Sequence, residues 1–278
     1  MMRRRTFLLS TAAASLAAAD RIRVGCQSRS YAAPTRDVPQ FLTYLDDMAA
    51  AGYAGFETNY ISLEAGFANP APLRAEIAKR KMELIGLHAG AALHTPEQVA
   101  KAEALFAHVA AGVKALGGQY AMLSPNAGKD PALWPAKAAA IERLAGVCKK
   151  AGVELLVHNH VEEARNNFEE FRFLLRNSTV KLLVDVGHAA RAGVNAAGFC
   201  SEHHGRIAAV HVKDWKGDAN TQVTIGTGDV DVKSALAALR KQKWQGWVIA
   251  ELEGNPVPGV SREQNVRNAR DFLRNVLR

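Results

Sequence analysis

Cysteine is scarce in this chain of 278 residues: Cys26, Cys148 and Cys200 are all of it, widely spaced and with no CxxC pair. An odd, scattered count argues against a disulfide framework. The apolar stretch near the N-terminus is too short to span a bilayer. No GxGxxG follows the first strand candidate, so the fingerprint of an open dinucleotide-binding sheet is missing. Internal repeats, low-complexity tracts and inter-domain linkers are also missing. Charge of one sign is not concentrated either. The full chain carries 35 basic and 27 acidic residues. Without Arg3, Arg4 and Arg5 the balance is net +5, scattered over helical segments, and nothing in it demands a nucleic acid or a membrane partner.

The first residues, "MMRRRTFLLSTAAASLAAAD", have a basic start, a short apolar run and Ala17-Ala18-Ala19 before Asp20. That is the layout of a removable export signal. Arg4-Arg5-Thr6-Phe7-Leu8 resembles the twin-arginine signal, a receptor-read address and not an anchor. The alternative is a basic leader that stays attached. Residues 1–19 are therefore set aside as a leader, and the expected location is the periplasm. A chain that folds before it crosses would need no disulfides and could take up a metal beforehand.

Residues 20–278 leave about 259 residues, which fits one large α/β barrel better than two ordinary domains. Short apolar runs at 22–26, 55–59, 83–89, 120–125, 154–160, 181–188, 207–213 and 247–253 read as strands. Between them lie Ala-, Leu- and Lys-rich stretches, such as 96–116 and 135–151, with apolar spacings of three and four. Eight strands alternating with helices predict a parallel sheet closed into a single-domain (β/α)8 TIM barrel.

Each strand runs apolar and then places a ligand or acid–base group at its carboxyl end: Glu57, His88, His158 and His160, Asp185 and His188, His211, Glu251 and Glu253. In a parallel barrel those ends converge on the face that holds the chemistry. A lone strand-end histidine is more often structural, but six strand ends with such groups are hard to explain by solvation. Asp185, His211 and Glu251 each follow three or four apolar residues and sit at matching depth. A buried carboxylate needs a partner, and a mixed carboxylate–imidazole shell suits Mn²⁺, Zn²⁺, Co²⁺ or Fe²⁺ better than Ca²⁺. His158 joins by register, with His160, two residues on and on the same side, as the alternative ligand.

The segments "GVELLVHNHVEE", "VDVGH", "AAVHVKDW", "IGTGDVD" and "GWVIAELEGN" resemble the xylose-isomerase-like barrel superfamily of sugar phosphate isomerases and epimerases, with its inosose dehydratase relatives. The resemblance runs from about residue 22 to the end. It implies one divalent ion, manganese first, on His158, Asp185, His211 and Glu251, with His88, His188 and Lys213 facing the substrate; Glu57 is grouped with them. Many ketose epimerases of this family have Glu where His158 stands. Here a second carboxylate is missing unless Glu57 or Glu163 supplies it.

The chemistry expected is proton abstraction next to a carbonyl through a metal-stabilised enediolate. Glu251 or His160 would be the base, and Lys213 or His188 would neutralise the oxyanion or donate a proton. Returning the proton gives a sugar isomerase or epimerase; expelling a β-oxygen gives a lyase or dehydratase on a keto-sugar, inosose or 3-keto-glycoside. An endonuclease IV-type phosphodiesterase and a non-catalytic sugar-binding barrel are the other classes. Gly226-Thr227-Gly228 reads as a tight turn, with a phosphate cradle as the alternative. The expected partner is a small carbohydrate, with homo-oligomerisation left open.

Overall fold

The computed structural model describes residues 22–278 except 32–33, 127–129, 218–220 and 254–256. The leader, residues 1–19, lies outside the described residues. Eight parallel strands close into a barrel: β1 (Arg23–Gln27), β2 (Gly55–Asn59), β3 (Glu83–Ala91), β4 (Tyr120–Pro125), β5 (Glu154–His158), β6 (Lys181–Asp185), β7 (Ile207–Val212) and β10 (Trp247–Ala250). Closure is made by β1 pairing with both β2 and β10. All eight barrel strands fall on the runs predicted from the sequence, with shifted ends. A short antiparallel ribbon, β8 (Asp214–Lys216) with β9 (Thr221–Val223), was not predicted.

The helices form the outer ring: α1 (Val38–Ala51), α2 (Pro70–Lys79), α3 (Pro96–Leu116), α4 (Trp134–Lys150), α5 (Val161–Asn177), α6 (Val186–Arg191), α7 (Ala196–His203), α8 (Val232–Lys241) and α9 (Arg262–Val276). Their bounds follow from local chemistry. In α1, Asp37 caps the first turn by accepting from the Gln40 N–H, and the buried positions Phe41, Leu45 and Met48 fall on one face. In α3, Thr95 and Gln98 form a reciprocal capping box. No helix among the described residues is long and apolar enough to cross a membrane.

Two apolar cores result. One lies between sheet and helices. The other fills the barrel interior with Ile85, Met122, Leu156, Leu183, Ala208, Ala209, Trp247 and Ile249. Four predicted strands end early, β7 by one residue at Val212 and three others by more, because the polar residues beyond them leave the sheet. β5 stops at His158 rather than 160, β10 at Ala250 rather than 253, and β6 at Asp185 rather than 188. At Asp185 the reason is explicit: its carboxylate accepts from the His188 N–H at 2.8 Å and so caps α6, which starts at the next residue.

Candidate metal centre at the barrel mouth

Side chains alternate along a strand, so the residue two beyond an inward apolar one also points inward. Leu156, Leu183, Ala209 and Ile249 fill the barrel interior. Two positions further on stand His158, Asp185, His211 and Glu251. Each offers a ligand atom, and these atoms all lie within 4.8 Å of one another with all four residues buried. The group sits at the carboxyl ends of β5, β6, β7 and β10, the end where barrel enzymes keep their chemistry. The structure brings His158 into the group, while His160 leads into α5 as an accessible residue of the mouth, its ring 4.9 Å from that of His158.

The charges in this group do not balance among themselves. Among the described residues, Glu57, Asp185, Glu251 and Glu253 meet one permanent cation, Lys213, whose Nζ stands 2.9 Å from Asp185, 3.1 Å from Glu251 and 2.6 Å from Glu253. Burial alone would raise the Asp185 carboxyl, but Lys213 and His188 hold it well below the usual carboxylate range. Burial opposes ionisation of Glu251 too, and Lys213 with His211 keeps it well below that range. Burial also disfavours charge on His211, yet Glu57 and Glu251 push its imidazole up to about 10. His158, buried without comparable carboxylate support, is held well below the ordinary histidine value and stays neutral.

These facts fit a cation. His211 Nδ1 and Glu251 Oε2 are buried and 2.7 Å apart, and neither makes a hydrogen bond of acceptable geometry. Without a metal, His211 must supply the missing positive charge as an imidazolium. A divalent ion shared by the four residues would supply it instead, and two imidazoles with two carboxylates suit a transition metal or Mn²⁺.

A hydrogen-bonded surround orients the donors. Glu57, which the sequence reading grouped with substrate contacts, is fully buried and takes His211 Nε2 at 2.6 Å and His88 Nδ1 at 2.8 Å. It therefore faces imidazoles, as the carboxylate behind a metal-binding histidine does. His88 passes the chain on from Nε2 to Ser124 Oγ at 2.6 Å, and Ser124 reaches His158 Nδ1 at 3.4 Å. Sequence reasoning missed Ser124, although it stands next to the last residue of β4. It also missed Asn159, whose side-chain amide accepts from the Asp185 N–H and donates to its carbonyl. Glu163 accepts from the His160 N–H at 3.0 Å and lies behind the mouth beside Lys137.

His188 Nε2 stands 3.3 Å from Lys213 Nζ and 3.3 Å from Glu253. Gly187, next to it, has a steric reason: a Cβ there would fall 2.1 Å from Lys213 Cγ. The glycine lets the lysine stem run past α6 into the mouth.

The turn at Gly226–Gly228 is no phosphate cradle. Its backbone already holds an internal anion, since Asp214 Oδ2 accepts from Gly226 N at 2.8 Å and Gly228 N at 2.9 Å. Asp214 Oδ1 accepts from Trp215 N at 3.0 Å and Val230 N at 3.1 Å. Sequence reasoning passed over Asp214, although it follows Lys213 directly in "HVKDW".

Residues 45–276 match the model of the xylose isomerase-like TIM barrel family. The chain belongs to that family. It is 27% identical to the rhizopine catabolism protein MocC of Rhizobium meliloti over 251 residues, which span 76% of this chain and 74% of that protein. It is 25% identical to the inosose dehydratase of Geobacillus thermodenitrificans (strain NG80-2) over 272 residues, 83% of this chain and 87% of that one. Among solved structures, the IOLI protein with a zinc atom superposes with a TM-score of 0.74 at 15% identity, covering 92% of this chain and 98% of the other. The inosose dehydratase is an enzyme, and the IOLI structure carries a zinc atom.

Proposed function

We propose that this family member is a divalent-metal-dependent enzyme that removes the proton next to the carbonyl of a keto-sugar, an inosose or a 3-keto-glycoside. The observation that carries the proposal is the His158, Asp185, His211 and Glu251 group, with its ligand atoms within 4.8 Å of one another at the barrel mouth. Those four residues would hold the ion, manganese first and zinc, cobalt or iron(II) as alternatives. When bound, it supplies Lewis-acid polarisation of the carbonyl. Endonuclease IV-type chemistry would need more donors than this one group among the described residues.

Glu251 is the proposed base. Its contacts to His211 and Lys213 run through Oε2, so Oε1 is the oxygen that would take the carbon-bound proton. Lys213, fully buried among three carboxylates and held charged well above the ordinary lysine range against the cost of burial, stabilises negative charge on the substrate oxygen. Glu253 is bound up with Lys213 and His188, and Glu57 with two imidazoles, so among the described residues Glu251 has no opposing carboxylate base. One-base chemistry follows. β-Elimination of a neighbouring oxygen is the first outcome, supported by kinship to an inosose dehydratase over most of the chain. Isomerisation is the second reading, favoured by the Lys213–His188 contact, which could return a proton on the same face. The leader reading adds that the enzyme works outside the cytoplasm.

The test is proton exchange in D₂O with keto-sugars and 2-keto-myo-inositol as probes, with products followed by NMR. Glu251→Gln should slow exchange by roughly 10²–10⁴-fold, the range of a lost general base. Clean inversion at the exchanging carbon, with no eliminated or isomerised product, would show a second base and overturn the one-base reading.

A further inference from the structure

The face of the barrel that carries the metal group has a second concave feature at its rim. The segments that follow β4 and β5, both on the catalytic face, meet at a cavity of about 330 Å³ lined by Trp134, Glu162, Arg165, Asn166, Glu169 and Glu170. That volume falls within the range of small-molecule sites. Its neighbour Leu133, at 43% exposure, is the only exposed large apolar side chain among the described residues. Glu163, one residue from the cavity-lining Glu162, accepts from the backbone N–H of His160. The cavity and the mouth therefore lie on the same face of the barrel, at the carboxyl ends of the strands.

The backbone here is unusual in the same place. Asn166, Asn167 and Phe168 take φ of 51°, 57° and 59°, three left-handed non-glycine residues in a row that break α5. Such a conformation persists only where its surroundings over-determine it, and it gathers at functional sites. Phe168 is the anchor: it is fully buried and stacked on Phe199 at 4.1 Å. The reversal places Arg165 and Asn166 on the cavity wall.

The chemistry of the wall selects the ligand. Arg165 grips Glu162 through two hydrogen bonds of 2.8 and 3.1 Å. Glu170 is paired with the buried Lys137 at 2.5 Å, and Asn166 Nδ2 donates to Glu169 at 3.3 Å. Charges are mostly paired, so the cavity is poorly suited to a bare ion. An aromatic face beside planar amide, carboxylate and guanidinium groups suits a neutral polyhydroxylated ring, with its C–H face on the indole and its hydroxyls on the planar groups.

We propose that this rim cavity is a second sugar subsite, holding the distal ring of a glycoside whose reacting ring sits at the metal group. This rests on the sugar reading given above. The substrate class would then be a glycoside or disaccharide rather than a free monosaccharide.

The experiment is titration calorimetry of the manganese-loaded protein with three unreactive probes: glucose, maltose and cellobiose. At least one disaccharide should bind about tenfold tighter than glucose, the scale of one aromatic contact with its hydrogen bonds. Trp134→Ala should erase that gain and leave glucose binding unchanged. Asn166→Gly, which glycine tolerates at φ 51°, should reduce the gain without touching the packing of Trp134 on Phe173. Equal affinity for all three sugars, or a gain that survives both substitutions, overturns the subsite. Sedimentation that shows a dimer dissociated by Trp134→Ala, with no disaccharide gain, also overturns it and assigns the face to a second copy. Proton exchange from keto-sugars is measured separately. Its absence beside an intact disaccharide gain keeps the subsite and sinks only the proposed reaction.

Discussion

Glu57 Oε2 stands 2.6 Å from His211 Nε2, across 154 residues of sequence. That contact turns the other ring nitrogen of His211 toward Glu251, 2.7 Å away. The pair explains why a fully buried carboxylate on β2 belongs to a site built from β5, β6, β7 and β10. Glu57→Gln should weaken metal binding by roughly 10–100-fold, as loss of an orienting carboxylate does. Asp185→Ala, which removes a donor, should abolish binding while the circular dichroism of the barrel stays native. Competition against a chelator measures both. Equal loss in the two variants would mean that Glu57 is itself a ligand, and full occupancy in Asp185→Ala would remove the metal assignment.

Gly187 tests the placement of Lys213. A Cβ at 2.1 Å from Lys213 Cγ forces the lysine stem or α6 to move. Gly187→Ala should therefore cut proton exchange at least about tenfold while metal content is retained, since the four donors are untouched. Unchanged exchange rates would show that Lys213 plays no part in the chemistry.

Asp214 is expected to act on stability first. Its carboxylate satisfies four backbone N–H groups of the 214–230 segment. Asp214→Ala leaves those donors without their acceptor and should lower unfolding free energy by about 3 kcal/mol, read from the urea midpoint. Inorganic phosphate should not bind the wild-type turn, because the anion position is already taken. A midpoint equal to the wild type would refute the account.

The three thiols are buried, and burial pushes Cys26, Cys148 and Cys200 each up to about 12. A thiol held that high has almost no thiolate at neutral pH. Ellman's reagent should find no reactive cysteine in the native protein and all three after unfolding in guanidinium. Rapid labelling of the native chain would contradict the burial.

Export is tested on the leader, which lies outside the described residues. Replacing Arg4 and Arg5 by Lys should trap a folded, metal-loaded precursor in the cytoplasm. Cell fractionation that still finds the double variant outside would remove the twin-arginine reading.

Periodicity is local, and what it encodes was legible in the sequence. The alternation of strands and helices predicted the barrel. The three or four apolar residues before each of Asp185, His211 and Glu251 predicted that the three end at matching depth. Strand ends were less legible. A run such as "KLLVDVGH" carries no mark showing that Asp185 will cap the next helix instead of extending the sheet. What only the tertiary structure decided are contacts between distant parts of the chain. These include the entry of His158 rather than His160 into the metal group, the turn of Glu57 toward His211 and His88, and the carboxylate of Asp214 inside the Gly226–Gly228 turn. Lys213 held among three carboxylates in the space left by Gly187 belongs with them. Each depends on where side chains from different strands meet once the barrel closes, and spacing along the sequence does not carry that information.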